Sequence, residues 1–368
     1  MKECYYIAEI NLPNKSAYAV HVMQMCNALS KLGNKVTLIV PYANLNILDK
    51  IKKNFAISNS FKIKSIFKDK KKLNFFFRIY FALSCLRLLK DKKQTLIISR
   101  SIISSIILAK KKIFNYLELH HELKGMTKLL YWFYKDEINY NLKYILISKY
   151  LLKIFNLPKK KYLILDDAVN IDLFKNQKVK KLINTCAYFG SLTKGKGIEI
   201  ITKTAKETKN INFHVYGDLG LMDLKIKNSN KNNNLKFFNY STYEMVPKLM
   251  SKYEVVLMPY LKNVRVRSGN LDTAKYMSPL KLFEYLAMSK IILATKLSVY
   301  SHILKNNENS ILIPLNKTYL WKKNILKIFN NRKKFDYLKK NAKKTALKYT
   351  WDLRVKKIIK DYKNVKLN

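Results

Sequence analysis

The residue types best able to do chemistry are concentrated in the stretch Tyr276-Met-Ser-Pro-Leu-Lys-Leu-Phe-Glu-Tyr-Leu-Ala-Met-Ser-Lys-Ile-Ile-Leu-Ala-Thr295. Ser278 suits a helix N-cap and Pro279 the first helical position, which directs the backbone N–H groups of Leu280 and Lys281 out of the helix start. Free donors and the helix dipole act together there, and such a start holds phosphate well. Glu284 follows Lys281 by three residues and Leu280 by four, so it shares their helix face. A carboxylate in that position can accept two hydroxyl protons from a ribose lying beside the phosphates. An ordinary capped helix with a surface glutamate has the same pattern. Arginine is scarce, with seven among 72 basic residues. Arg265 and Arg267 fall just before this segment, beside Ser268 and Gly269. Their forked guanidinium groups suit phosphate or an acidic sugar, and a basic loop with no ligand fits equally. His120 and His121 close an apolar run, where side chains at a strand end reach a cleft. His21 lies early in a helix beside an opening loop. For each, the alternative is a hydrogen-bonded histidine with a structural role.

These residues need a frame, and the rest of the chain supplies an alternation of short apolar runs and helical patterns. Tyr5–Ile10 reads as a strand and Asn11 to Ser16 as a loop. A helix follows, carrying Val22, Met25, Cys26, Leu29 and Leu32 with Gly33 as its stop, and Lys35–Val40 is the next strand. This βαβ opening predicts a parallel sheet. Further strands are expected at Leu96–Ser99, Ile113–Leu119, Tyr144–Ile147 and Tyr162–Leu165. A polar, lysine-rich pause over 166–183 marks a domain boundary, and Asp166 and Asp167 in it read as structural. The alternation then restarts with a strand at Thr185–Gly190, a loop through Gly197 and a helix from Ile198. Strands at Phe213–Tyr216, Val255–Met258, Ile291–Thr295 and Ser310–Ile313 follow. Ser241 and Glu244 fit a capping box for a helix reaching about Tyr253, and Thr350 suits the N-cap of the last helix. The expected organisation is an α/β chain of two parallel-sheet domains, 1–170 and 184–350, with a helix at 351–368 returning toward the first. A ligand cleft would lie between the domains, at the carboxyl ends of the strands.

The 276–295 stretch resembles the C-terminal signature of glycosyltransferase family 4, the glycosyl transferases group 1, in the version SPLKLFEYMA followed by GKPIIA. Tyr188-Phe-Gly-Ser-Leu-Thr-Lys-Gly-Lys-Gly197 is similar to the first strand and phosphate loop of that family's nucleotide-sugar domain. Val256-Leu-Met-Pro-Tyr260 resembles the strand before the donor helix, Asn309-Ser-Ile-Leu-Ile313 the ENGLLV strand, and Tyr349-Thr-Trp-Asp-Leu-Arg354 the late YTW..R helix start. The five pieces occur in register across the C-terminal half. In the N-terminal half, Pro13 to Val40 resembles the family's opening loop, helix and second strand, and Glu118-Leu-His-His121 its acceptor-side strand end.

The resemblance implies a GT-B fold, two Rossmann-like domains facing a cleft, and a retaining transfer of sugar from a nucleoside-diphosphate sugar. It implies that Glu284 binds the ribose hydroxyls and that Lys196 neutralises the donor diphosphate. Gly190, Ser191, Ser278, Pro279, Leu280 and Lys281 would form the donor pocket, joined by Tyr276, Arg265 and Arg267. His120 would touch the transferred sugar, with Ser16, His21 and His121 on the acceptor side. No metal or other cofactor is expected beyond the nucleotide-sugar co-substrate. Three positions depart from the family pattern. Tyr276 stands where a first glutamate is common. Ser191 stands where an arginine follows the strand glycine, with Lys194 nearby as a point charge. Asn14-Lys15-Ser16-Ala17 replaces a glycine pair.

The net charge of +48 comes almost wholly from lysine dispersed along 368 residues. Arginine forks are the usual readers of bases and phosphates, so the composition argues against nucleic acid as the main partner. Attraction to anionic lipid headgroups fits dispersed lysines better. The segment 68–93, basic and then rich in Phe75, Phe76, Phe77, Tyr80 and Phe81, could lie in a membrane interface or flank the sheet. A glycan or lipid-linked sugar is the expected acceptor. Four cysteines without a CxxC pair indicate reduced thiols, and the opening MKECYYIAEI has no long apolar run, so a cytoplasmic, at most peripheral, location is expected. Two further readings are a GT-B epimerase or phosphorylase and a basic membrane- or nucleic-acid-binding protein without catalysis.

Overall fold

The computed structural model describes residues 2–92, 94–223, 226, 232–266 and 269–366. The chain divides into two compact units: Met1–Asp166 together with Trp351–Asn368, and Asp167–Thr350.

The first unit is built on the strands β1 (Glu3–Ile7), β2 (Asn11–Leu12), β3 (Lys35–Val40), β4 (Tyr42–Ala43), β5 (Lys62–Ser65), β6 (Leu96–Ser99), β7 (Asn115–Leu119), β8 (Leu142–Leu146) and β9 (Tyr162–Ile164). Its helices are α1 (Ala17–Lys31), α2 (Leu48–Asn54), α3 (Phe75–Leu89), α4 (Ile102–Lys110), α5 (Gly125–Ile138), α6 (Lys149–Phe155) and the C-terminal helix Trp351–Lys366. Seven strands form one parallel sheet in the order β5-β3-β1-β6-β7-β8-β9. Its central strands β6 and β7 are buried throughout, as parallel strands covered on both faces must be. Alternation along β1 divides the two faces. Ile7 joins Ile39, Ile97, Phe81, Cys85, Leu89 and Leu108 in the core beneath α3 and α4, and α5 packs beside α4. Tyr6 points the other way, toward Glu118. On that side α1 packs against β1, β3 and the C-terminal helix.

The second unit holds β10 (Thr185–Phe189), β11 (Asn212–Tyr216), β12 (Leu235–Phe238), β13 (Val255–Met258), β14 (Arg265–Val266), β15 (Gly269–Asp272), β16 (Ile291–Thr295) and β17 (Ile311–Ile313). Its described helices are α7 (Ile198–Glu207), α8 (Val246–Ser251), α9 (Leu280–Ala287), α10 (Tyr319–Asn330) and α11 (Asp336–Ala346). Six strands make a parallel sheet in the order β12-β11-β10-β13-β16-β17, and β14 and β15 pair as an antiparallel hairpin. Tyr188, Val215, Leu257 and Leu293 pack with Ile201 of α7 and Ile325 and Ile328 of α10. Each unit is therefore a Rossmann-like, helix-flanked parallel sheet, the class expected from the alternating pattern.

Local details differ from the sequence reading. Two edge strands, β5 and β12, were not anticipated: Lys-Ile-Lys-Ser is too polar to read as a strand, and Leu-Lys-Phe-Phe is only partly buried. The opening loop holds the short β2, paired with β4. Ser278 does not cap α9. Its hydroxyl accepts from the Asp167 amide at 2.8 Å, and Pro279 is the extended residue before the helix. Ser241 and Glu244 form no capping box, since a 3-10 turn over Tyr243–Met245 precedes the short α8. The segment after Asp166 packs within the second unit, where Gln177 N donates to Ser251 Oγ and Asn176 Nδ2 to Met288 O, both at 2.9 Å.

Candidate functional site

The strand order of the second unit grows outward in opposite directions from β10 and β13. Ligands of such sheets sit beyond the carboxyl ends of the strands at that switch point. The loop that leaves β10 there depends on glycine. Gly190 has φ +144°, and a Cβ on it would lie 2.3 Å from Lys281 Nζ. Gly197 has φ +77°, and its Cβ would lie 1.7 Å from the Pro259 carbonyl oxygen. The buried Tyr188 hydroxyl donates to Ser191 O at 2.7 Å, and Ser191 Oγ donates to Thr193 Oγ1 at 3.1 Å, which fixes the turn.

Lys281 sends its side chain back beneath this loop. Its Nζ lies 3.6 Å from the Tyr188 ring centroid and 5.3 Å from that of Tyr260, while Lys196 Nζ stands 4.7 Å from the same Tyr260 ring. Aromatic faces attract cations but do not neutralise them. Lys281 Nζ is buried, with no hydrogen-bond partner among the described residues. Burial, with repulsion from Lys196, drives its ammonium well below the ordinary lysine range, and Glu284 pulls it back only in part. Burial likewise pushes Lys196 down to about 8. Glu284 lies on the same face of α9. Burial pushes its carboxyl up to about 7, opposed by the Tyr243 hydroxyl and the Lys281 ammonium, with Asp167 adding to the rise. The first amides of α9 have no acceptor within the helix. Two cations on aromatic faces, helix-start amides and a carboxyl one turn along can hold a dianion and then a pair of hydroxyls. The same cations can stabilise charge that grows on a leaving phosphate.

In the first unit, Glu118 is the hub. Its Oε1 lies 2.9 Å from His21 Nε2 and 3.4 Å from His120 Nε2. The Arg354 guanidinium, from the C-terminal helix, binds the same oxygen, and the Tyr6 hydroxyl donates to Oε2. Burial raises the Glu118 carboxyl, yet His21, Arg354 and His120 around it hold it well below the ordinary range. The His21 ring meets His120 edge-on at 4.7 Å and Trp351 at 5.0 Å. His21, Glu118 and His120 have ligand atoms of metal-binding type within 4.8 Å of one another. Arg354 shares their central oxygen, so a divalent ion there would face a guanidinium. Glu118 and Arg354 already form an ion pair at that oxygen. His120 keeps partial exposure, 15% of its side chain, whereas His21 has 1%.

The other expected residues are placed as follows. Ser16 caps α1, its Oγ accepting from Ala19 N at 3.3 Å. His121 is exposed and turns Nδ1 to the Glu122 carbonyl oxygen at 2.8 Å. Tyr276 is buried in the second unit. Arg265 lies on β14 and lines a pocket of ≈ 500 Å³ with Lys194, Lys262, Asn263 and Asp272, a lining that does not include Lys196, Lys281 or Glu284. Arg267 lies outside the described residues. Sequence reading missed the Lys281 side chain, its aromatic seat of Tyr188 and Tyr260, and Tyr243. It also missed a cluster at the β1–β6 switch point of the first unit. There Glu9 accepts from Arg78 Nε at 2.7 Å and from Ser101 Oγ at 2.6 Å, and Arg100 stacks 3.9 Å from the Tyr18 ring centroid. The scarcity of arginine was the available signal for Arg78 and Arg100.

Residues 170–345 match the family Glycosyl transferases group 1. The match lies within the second unit and covers just under half of the chain. An uncharacterized glycosyltransferase of Methanocaldococcus jannaschii is 25% identical over 253 residues, 68% of this chain and 66% of that protein, so the match spans just under two thirds of the relative's length. The crystal structure of a glycosyltransferase from Rickettsia africae has a TM-score of 0.78 at 14% identity, covering 100% of this chain and 99% of that chain. The structure of Anabaena HepE in complex with UDP-glucose has a TM-score of 0.74 at 11% identity, covering 99% and 100%. At such identities the likeness to the solved structures is one of fold.

Proposed function

We propose that the chain transfers a sugar, with retention of anomeric configuration, from a nucleoside-diphosphate sugar to a glycan or lipid-linked acceptor in the synthesis of a cell-surface polysaccharide or lipopolysaccharide. The observation that carries this reading is the buried ammonium of Lys281, which has no hydrogen-bond partner among the described residues, set beside Lys196 under the Gly190 loop. A diphosphate would supply the missing counter-charge, accept from the first amides of α9, and leave the ribose hydroxyls to Glu284. The negative charge released when the glycosidic bond breaks falls on the phosphate that the two lysines hold, so the ammonium groups serve in place of a metal. His120, fixed by Glu118, is assigned to the sugar on the acceptor side. The Anabaena neighbour carries UDP-glucose, which makes uridine the first base to test.

A thermal-shift panel of UDP-, GDP- and ADP-sugars tests the donor assignment. One base series should raise the melting temperature, and Glu284→Ala should remove the shift. No shift with any of them removes the proposal. With an active donor, the anomeric configuration of the product, read by NMR, tests retention.

A further inference from the structure

Helices that cover a sheet ordinarily turn their apolar side inward and a polar side to water. In the first unit α5 is apolar on the outside. Its buried side carries Thr127 and Ile138. On the opposite arc stand Met126, Leu129, Trp132 and Phe133, exposed by 51%, 57%, 65% and 71%. These four fall within about 120° of arc at 100° per residue. The α3 helix in the same layer shows a second stripe. Phe76, Tyr80 and Leu83, at i, i+4 and i+7, are exposed by 79%, 53% and 42%. Between the two lies α4, most of it buried, packed against both.

The charges around these stripes are predominantly basic. Lys124, Lys128 and Lys135 are exposed on and beside α5, and Lys68, Lys70, Lys71 and Lys72 lead into α3, with Arg87 at its far end. The acidic groups are Asp69, before α3, Asp91, two residues past its end, Glu122, three residues before α5, and Asp136 and Glu137, in the last turn of α5. Glu137 faces Lys110 at 3.7 Å. Apolar residues including Trp and Phe at a surface, bordered by lysines, match the chemistry of a bilayer interface: rings at the headgroup level, ammonium groups on anionic lipid.

We propose that the outer face of the α3–α4–α5 layer docks onto an anionic lipid bilayer, with Leu129, Trp132 and Phe133 of α5 entering the acyl boundary. The 68–93 segment is one edge of this surface, and α5, which composition alone did not single out, is its main anchor. No described helix is long and apolar enough to cross a membrane, so the attachment is to one leaflet. A lysine-bordered apolar face favours this occupant over a second copy of the chain, which would bring the same positive charge.

Trp132 makes the test site-specific. The other two tryptophans, Trp321 and Trp351, are each 2% exposed. Vesicles of phosphatidylcholine with phosphatidylglycerol should shift the full chain's fluorescence to the blue, protect it from an aqueous quencher, and sediment the protein. Phosphatidylcholine alone should do so weakly. The double variant Leu129→Ser/Phe133→Ser should lower the vesicle affinity about tenfold or more while retaining any nucleotide-sugar thermal shift, so this outcome stands apart from that of the donor assignment. A Lys124→Glu/Lys128→Glu/Lys135→Glu variant keeps the apolar face and should lose the preference for anionic lipid. The proposal is overturned if Trp132 does not shift with anionic vesicles. It is also overturned if Trp132 is already protected without vesicles in a dimer seen by sedimentation velocity, or if the double variant binds vesicles as the parent does.

Discussion

At the scale of single residues, the donor-type cluster is held in a costly state. A Glu284 carboxyl raised to about 7 takes up protons in the fold that the unfolded chain has already released. Its contribution to stability therefore falls as pH climbs from about 4.5 to about 7, a cost on the order of 3 kcal/mol above that window. Binding should follow the same groups. Glu284 must be ionised to accept hydroxyls and Lys196 must be protonated to meet phosphate, so affinity for the nucleoside diphosphate should peak between about 7 and about 8 and fall on both sides. Calorimetric titration across pH should show both limbs, and Glu284→Gln should flatten the acidic one. A profile with no acidic limb in the parent would remove the ribose role of Glu284. Gly190→Ala separates the two functions of the loop. The new Cβ collides with the Lys281 ammonium rather than with backbone, so nucleotide affinity should drop more than stability. Gly197→Ala meets the Pro259 carbonyl oxygen and should destabilise the fold by about 2 kcal/mol or more in chemical denaturation.

At the scale of elements, the C-terminal helix is tied to β7 by Asp361, which accepts from the Tyr116 hydroxyl at 2.7 Å, and by Arg354. Arg354 binds Glu118 and also donates to Leu165 O at 2.7 Å and Asp166 O at 3.0 Å. Its loss leaves a buried carboxylate short of a partner, so Arg354→Ala should cost about 3–5 kcal/mol. Adding Glu118→Gln, which removes the stranded charge, should recover part of that. Equal denaturation midpoints for the single and double variants would show that the pair is not a tie. The elements were also where the sequence was most legible. Runs such as Leu96–Ser99 and Ile291–Thr295 are buried on both faces, so burial writes them as unbroken apolar stretches. The edge strands β5 and β12 escaped because an edge tolerates lysine and leaves half its residues to solvent. Ser278 looked like a helix cap because its local pattern is right. Its hydroxyl is engaged by Asp167, 111 residues away in sequence, a competition that no local window contains. The amide of Lys281 was readable from helix-start chemistry. The seat of its ammonium was not, because Tyr188 and Tyr260 come from the ends of two strands that only the sheet order brings together.

At the scale of the whole molecule, a net charge of +48 makes association with any polyanion sensitive to salt. Charge alone does not distinguish a nucleotide site from a lysine-rich surface. Burial does. Added salt should weaken vesicle binding steeply, since exposed lysines carry its electrostatic part, whereas nucleotide-diphosphate affinity should change far less because Lys281 is shielded from ions. Parallel salt dependences for the two would argue that both ligands use the same exposed charge.

The most direct measurement is a comparison of Lys281→Met with the parent in two readings, thermal unfolding without ligand and calorimetric binding of UDP, GDP and ADP. Methionine fills similar volume without the buried charge. The variant should unfold several degrees higher, at roughly 2–4 °C per kcal/mol for a unit of this size, yet bind the preferred nucleoside diphosphate at least about tenfold more weakly. A variant no more stable than the parent that binds the nucleotide equally well would contradict the assignment of a diphosphate to this site.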